Sequence, residues 1–260
     1  MIRVLNEPSF FKIKWNSQKK EYASRKHSHK EVSAGLILNG STNVSVKDST
    51  YKLSPGDFIL IPAQTAHLCR PEQPDIFNFL LVYIDSEWWE KKLKVDAEKI
   101  PSKMLQAPEE WIGILKSIIN DEPSELEIEK EVISFFESII PQNTLNKTTA
   151  KKDDKLALAG NMIKANPEKP LSIDALADIA EMSKYSFIRK YNKSFGLTPH
   201  ADIVNKRIQK AIELLGTSKS LTDIAIECGF TDQSHFIKQF KLHCGMRPSE
   251  YRNAILYNSY

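Results

Sequence analysis

The 260-residue chain has only three cysteines, Cys69, Cys228 and Cys244, and none stands in a C-x-x-C pair. That excludes a disulfide scaffold and a zinc-finger pattern and fits a reducing compartment. Long apolar runs are also missing. The most apolar stretch, around Phe79–Ile84, falls far short of the roughly 20 residues that span a bilayer. Residues 1–15 hold no run long enough for a signal peptide. A cytoplasmic protein is the expectation. Charge of one sign is lacking too: 36 Lys+Arg against 33 Asp+Glu leave a net +3, which by itself selects no partner.

What is present is a globular composition. With 41% hydrophobic and 27% charged residues, the chain is too apolar for a disordered protein and long enough for two cored domains. The charge is unevenly placed. Residues 1–150 carry 19 basic and 21 acidic side chains, a net of −2, whereas residues 151–260 carry 17 and 12, a net of +5. A polyanion partner is therefore expected for the C-terminal part only.

The first ninety residues read as β. Short apolar runs at 34–38, 42–46, 58–61 and 77–84 are separated by Asn39-Gly40, a hairpin signal, and by Ser54-Pro55-Gly56-Asp57, a turn signal. This spacing predicts an all-β barrel or sandwich. Beyond about Glu87 the period becomes helical. One helix starts at Pro108-Glu109-Glu110-Trp111, and a second runs from about Ser124 to Pro141 with an apolar stripe of Ile128, Val132, Phe135, Phe136 and Ile139. The stripe either packs on the chain's own barrel or forms a helix–helix dimer seam, and different faces could do both. Residues 142–154, rich in Asn, Thr, Lys and Asp, read as a linker, and helices follow from Lys155.

The helical part repeats itself. Phe187-Ile188-Arg189-Lys190-Tyr191 returns as Phe236-Ile237-Lys238-Gln239-Phe240 at a shift of 49, with Gly196 matching Gly245 and Pro199 matching Pro248. Each half has a short helix (172–180, then 220–227), a turn, an N-cap at Ser183 or Thr231, and a second helix with rings inward and a cation outward. That is the helix-turn-helix plan. The apolar spacing of 199–215 predicts a helix holding the halves apart, and two reading helices about 34 Å apart would meet successive major-groove faces of DNA. Phe187, Ile188, Phe230, Phe236, Ile237 and Phe240 are read as core, while His200 and His243 are read as surface or boundary residues with no assigned chemistry.

These motifs, with Ala177-Asp178-Ile179-Ala180, Phe195-Gly196-Leu197-Thr198-Pro199, Gly229-Phe230 and Pro248-Ser249-Glu250-Tyr251-Arg252, resemble the AraC/XylS family of transcription regulators over residues 155 to 253. Tyr191 departs from the family's usual Phe but keeps the ring. The resemblance implies base reading by Tyr185, Ser186 and Arg189 in the first half and by Gln233, Ser234 and Lys238 in the second. Arg and Lys suit guanine O6/N7, and Gln suits adenine. Lys184, Lys190, Lys193, His235 and Lys241 are expected to meet phosphates.

The N-terminal part resembles a cupin, a double-stranded β-helix barrel. His27-Ser28-His29 matches the opening of its first motif, and Gly56, Pro62 and His67 match its second. Ser33 and Ala34 stand where the first motif's acid should fall, four or five positions after His29; in the second motif Gln64 replaces the second Gly and Pro71 stands in place of Asn. On a strand, His27, His29 and Glu31 would share a face. Three histidines could hold zinc, iron or manganese. The missing acid and the regulatory context favour histidines that bind an organic ligand or merely stabilise the strands, so neither metal nor cofactor is expected. In AraC-type regulators such a barrel implies a small-molecule effector, often a sugar or related metabolite. His27, His29, Glu31 and His67 are the candidate ligand residues, with Phe10 and Trp15 as further candidates.

The expected architecture is a cupin-like barrel with flanking helices over 1–141, sensing a ligand and dimerising through residues 124–140. A linker over 142–154 and an all-α double helix-turn-helix domain over 155–260 complete it. The expected function is sequence-specific DNA binding under small-molecule control, without catalysis. Two alternatives are a metal-dependent cupin enzyme with a helical appendage and a regulator answering to a protein partner.

Overall fold

A computed structural model of the protein describes residues 2–5, 10–16, 22–119, 124–140 and 154–256. The expected linker lies outside them except for Asp154, where a helix already begins. The N-terminal part runs β1 (Ile2–Leu5), β2 (Phe11–Asn16), β3 (Val32–Asn39), β4 (Thr42–Val46), β5 (Ser49–Leu53), β6 (Asp57–Ile61), β7 (His67–Pro71), β8 (Asn78–Ile84), α1 (Ser86–Leu93), β9 (Lys103–Gln106), α2 (Glu109–Ile119) and α3 (Glu125–Ile139). The strands form two antiparallel sheets, in the orders β1-β2-β8-β3-β6-β9 and β5-β4-β7. Asn39-Gly40 is not a hairpin turn. It is a corner that carries the chain from one sheet to the other, because β3 and β4 do not pair.

Strand side chains alternate between faces, and the central strands of the large sheet are covered on both. Val32, Ala34 and Leu36 on β3, Phe58 and Leu60 on β6, and Leu80, Val82 and Ile84 on β8 face outward. They share a core with Trp89, Trp111, Val132, Phe135 and Phe136 of the helices. Ile37, Ile59 and Ile61 face the second sheet, against Val44, Val46, Leu53 and Phe77. Each buried Val, Leu, Ile or Phe among them contributes about 1.5–3 kcal/mol. The apolar stripe of α3 is spent on this barrel: Ile128, Val132, Phe135, Phe136 and Ile139 all belong to the large-sheet core. It is therefore not a dimer seam. Leu126, 60% exposed, lies outside that stripe.

The C-terminal part consists of α4 (Asp154–Ala165), α5 (Ile173–Ile179), α6 (Lys184–Phe195), α7 (Pro199–Leu215), α8 (Leu221–Glu227), α9 (Gln233–Cys244) and α10 (Pro248–Leu256). Ser172, Ser183, Thr198 and Ser220 cap α5 to α8 as side-chain acceptors. The cap of α9 is Asp232, which accepts from the His235 N–H at 2.7 Å, and not the expected Thr231. Gly196 and Gly245 end α6 and α9 in the left-handed conformation. Phe187 and Tyr191 pack with Leu156, Ile163, Leu176 and Ile203, while Phe236 and Phe240 pack with Ile208, Leu215, Ile224 and Tyr251. Helix α7 supplies Ile203 to one core and Ile208, Ala211 and Leu215 to the other, so it fixes the two halves as the sequence predicted.

Candidate ligand cavity and nucleic-acid interface

Between β2 and β3, residues 22–31 cross the barrel mouth as a strap, not as the strand expected for His27 and His29. An isolated bridge pairs His27 with His67: the His27 N–H donates to the His67 carbonyl at 3.0 Å and the His67 N–H to the His27 carbonyl at 2.8 Å. The three imidazoles converge, with ring centroids 4.8 Å apart for His27–His29, 4.5 Å for His27–His67 and 5.1 Å for His29–His67. Tyr83 packs edge-on against His29 at 4.7 Å.

These rings and Glu31 line a cavity of about 110 Å³, so all four predicted ligand residues reach one space. Its wall is largely apolar, with Ile37, Val44, Leu53, Ile59, Phe77 and Phe79 joined by Lys12, Lys14 and Tyr83. Phe10 is not part of it. That ring is buried in the large-sheet core, stacked on Trp88 at 4.3 Å. The side chain of Trp15 lies outside the described residues. Four residues of the C-terminal part, Ile212, His243, Cys244 and Tyr251, also line the cavity. His243 is therefore no surface residue. It is 7% exposed, and its Nδ1 lies 2.7 Å from the Gln239 carbonyl.

Burial is the main reason that His27, His29 and His67 hold their protons less tightly than the usual imidazole, whose pKa is about 6.5. Neighbouring positive charge adds to it: His67, His243 and Lys14 act on His27; His27, His67, Lys14 and Lys12 act on His29; Lys26 acts on His67. In the unfolded chain these rings protonate near pH 6.5, and in the folded chain only at lower pH. Between those limits the unfolded chain binds more protons, so stability must rise with pH. Thermal unfolding in chelating buffer is expected to give a clearly lower Tm at pH 5.5 than at pH 7.5. His29→Gln should shrink that difference. A Tm independent of pH over this window would contradict the burial of neutral rings.

The strap also docks the C-terminal part. The Ser28 N–H donates to Asn205 Oδ1 at 3.2 Å, and the Ser28 carbonyl accepts from Asn205 Nδ2 at 3.3 Å and from Gln209 Nε2 at 2.7 Å. Lys30 pairs with Glu213 at 2.5 Å. The Ser24 and Arg25 N–H groups donate to the Leu242 carbonyl at 2.9 and 3.3 Å, and Lys14 Nζ donates to the Cys244 carbonyl at 3.0 Å. Gln64, at the position where the cupin pattern has glycine, keeps the left-handed conformation with φ +56°. Its N–H donates to the His29 carbonyl at 2.7 Å and its side chain accepts from Lys206 Nζ. One strap thus links the imidazole cluster to α7 and α9. Sequence reasoning missed Asn205, Lys206 and Gln209, because contacts across some 140–180 residues leave no periodic trace.

The predicted reading residues lie at the starts of α6 and α9. Tyr185 is 85% exposed, Arg189, Gln233, Ser234 and Lys238 are exposed, and Ser186 is half-buried. Lys190, Lys193 and Lys241 are exposed, and His235 is half-buried beside the Phe230 ring. Lys184 pairs with Asp174 at 3.0 Å. Gln233 Oε1 accepts from the Thr222 hydroxyl at 3.3 Å.

A barrel with an internal cavity joined to a double helix-turn-helix defines a ligand-binding, DNA-binding regulator of transcription. The sequence comparisons agree. Residues 7–135 match the model of the AraC-like ligand binding domain and residues 176–254 match that of a helix-turn-helix domain. The chain belongs to the AraC family of transcriptional regulators. It is 24% identical over 257 residues to "Probable transcriptional regulator LumQ" of Photobacterium leiognathi, covering 95% of this chain and 98% of that one. It is 24% identical over 219 residues to the uncharacterized HTH-type transcriptional regulator YbfI of Bacillus subtilis strain 168, covering 80% of each. In fold it is similar to unsaturated fatty acid bound wild-type ToxT of Vibrio cholerae strain SCE256, with TM-score 0.64, 17% identity, and 94% and 95% of the two chains covered. Among the described residues no helix is long and apolar enough to cross a membrane.

Proposed function

We propose that this regulator is gated by a small apolar carboxylate held between its barrel and its DNA-binding domain. The observation that carries the reading is that one cavity is walled by residues of both parts, with Ile212, His243, Cys244 and Tyr251 closing the barrel mouth. A molecule there touches α7, α9 and α10 directly, so it can bind two arrangements of the reading helices unequally, as any effector must. The apolar wall favours a compact apolar body over the sugar expected from the family, since each buried sugar hydroxyl would need a partner. Lys12 and Lys14 bring positive charge to the same space and suit an acid head group. The fatty acid bound by ToxT is of that chemical class. A cavity of about 110 Å³ takes a body on the order of one ring.

Arg189 and Lys238 read bases in this proposal, with Tyr185, Ser186, Gln233 and Ser234 beside them, and Lys190, Lys193, His235 and Lys241 hold phosphates. Lys184 would first have to leave Asp174. A homodimer through residues 124–140 would use the outer face of α3, around Leu126. The test of the effector class is a thermal-shift series with benzoate, octanoate and L-arabinose. The acids are expected to raise Tm and arabinose to leave it unchanged, and Lys12→Met should weaken the response to the acids about tenfold in concentration. Stabilisation by arabinose alone, or by nothing in the series, would overturn this ligand class.

A further inference from the structure

We propose that His27, His29 and His67 form a binding site for a divalent transition-metal ion of the zinc class, whether or not the cavity they line also takes an organic acid. Two separate segments, the strap and the start of β7, bring one ring nitrogen from each histidine within 4.8 Å of the others. The tautomers are set for ligation. His27 Nδ1 lies 2.8 Å from the Arg25 carbonyl and His67 Nδ1 lies 2.9 Å from the Thr65 carbonyl. A carbonyl only accepts, so Nδ1 carries the hydrogen in both rings and the lone pair sits on Nε2. A hydrogen bond from the second ring nitrogen to a carbonyl is how metal-binding histidines are commonly oriented. His29 adds an Nε2 that is buried without a hydrogen-bond partner. Such an orphan is costly, and a metal bond would relieve it.

The donor set chooses the ion. Three imidazoles without a carboxylate suit zinc, iron, nickel or copper and not magnesium or calcium, which take oxygen. Three protein nitrogens leave one position of a tetrahedral ion for water or a ligand oxygen. With metal–nitrogen bonds of about 2.0–2.1 Å, tetrahedral ligands stand roughly 3.3 Å apart. Loading would therefore draw the rings closer than the present 4.8 Å spread. Two of the three flank Ser28, the residue that Asn205 and Gln209 hold, so the ion would stiffen the strap that docks α7.

The experiment is titration of tag-free, EDTA-stripped full-length protein with Zn²⁺ by calorimetry and with Co²⁺ by visible absorption. No organic acid is present, so failure here leaves the carboxylate reading standing. One ion per chain is expected, with the intense visible band of four-coordinate Co²⁺. His29→Ala and His67→Asn should each weaken Zn²⁺ by more than about 100-fold, beyond the roughly 10–100-fold that changing an outer hydrogen-bond partner costs. The exposed His200→Ala should bind normally. Should either ligand variant fail to fold, His27→Gln and competition of Zn²⁺ with a chelating dye in the wild type take its place. Wild-type affinity weaker than about 10 μM, or binding indifferent to all three substitutions, would overturn the site.

Discussion

Gly229→Ala is expected to destabilise the DNA-binding domain by about 2–5 kcal/mol, among the largest effects of any single methyl in the chain. Gly229 sits in the turn between α8 and α9 at φ +79°, where an L side chain costs about 1–2 kcal/mol. The added Cβ would also stand 2.3 Å from the Glu168 carbonyl oxygen and 2.8 Å from its Cα. Both are backbone atoms, and they cannot swing aside. Arg207 donates to the Pro167 carbonyl at 2.7 Å and to the Lys169 carbonyl at 3.2 Å, which clamps the segment on either side of Glu168. Overpacking of this kind adds about 1–3 kcal/mol. Urea unfolding followed by circular dichroism measures the sum, and a loss below about 1 kcal/mol would show that the α4–α5 connection yields more easily than its clamps imply. The first half of the repeat provides the control. Its matching residue, Glu181, also has a positive φ, +52°, but is exposed. Glu181→Gly should be neutral or stabilise by up to about 1 kcal/mol.

The same repeat shows what a sequence can disclose. Caps, ring spacing and closing glycines are local signals, and they placed α5 to α9 to within a residue or two. The N-cap of α9 was misplaced at Thr231 because the halves slip by one residue in the turn. Carrying the shift of 49 from Ser183 leads to Asp232, the observed cap. Tyr191, legible only as a ring, turns out to donate its hydroxyl to the buried Asp202 at 2.7 Å. Shifted by 49, that pair becomes Phe240 and Tyr251, which meet as an edge-on ring pair at 5.5 Å. A polar contact in one half is thus replaced by an aromatic one in the other. In the barrel, the alternation on β3, β6 and β8 was readable, but strap 22–31 was not, since one bridge gives no period to detect. The roof of the cavity was invisible for a different reason. His243 and Tyr251 reach it through tertiary docking, and their own helices gave no reason to separate them from ordinary core or surface.

Replacing Arg189 and Lys238 together by alanine is expected to weaken binding to a selected DNA site by about 2–6 kcal/mol, on the premise that each makes one base contact worth about 1–3 kcal/mol. The two positions are equivalent, 49 residues apart, and both side chains are exposed on helices whose opposite faces are locked by Phe187 and Tyr191 or by Phe236 and Phe240. Locking matters because a bidentate contact discriminates only if its helix cannot roll. In vitro selection with the wild type supplies the site, and fluorescence anisotropy against that site and a scrambled duplex gives both affinities. Arg189→Ala should relax one half of the site and Lys238→Ala the other, with the scrambled duplex much less affected. Lys190→Ala and Lys241→Ala should instead weaken both duplexes alike and lower the salt slope by about one each, the mark of a phosphate contact. Equal losses on both duplexes for Arg189 and Lys238 would move them into that phosphate class. Specificity would then have to reside in Tyr185, Gln233 and Ser234, the exposed reading residues that carry no charge.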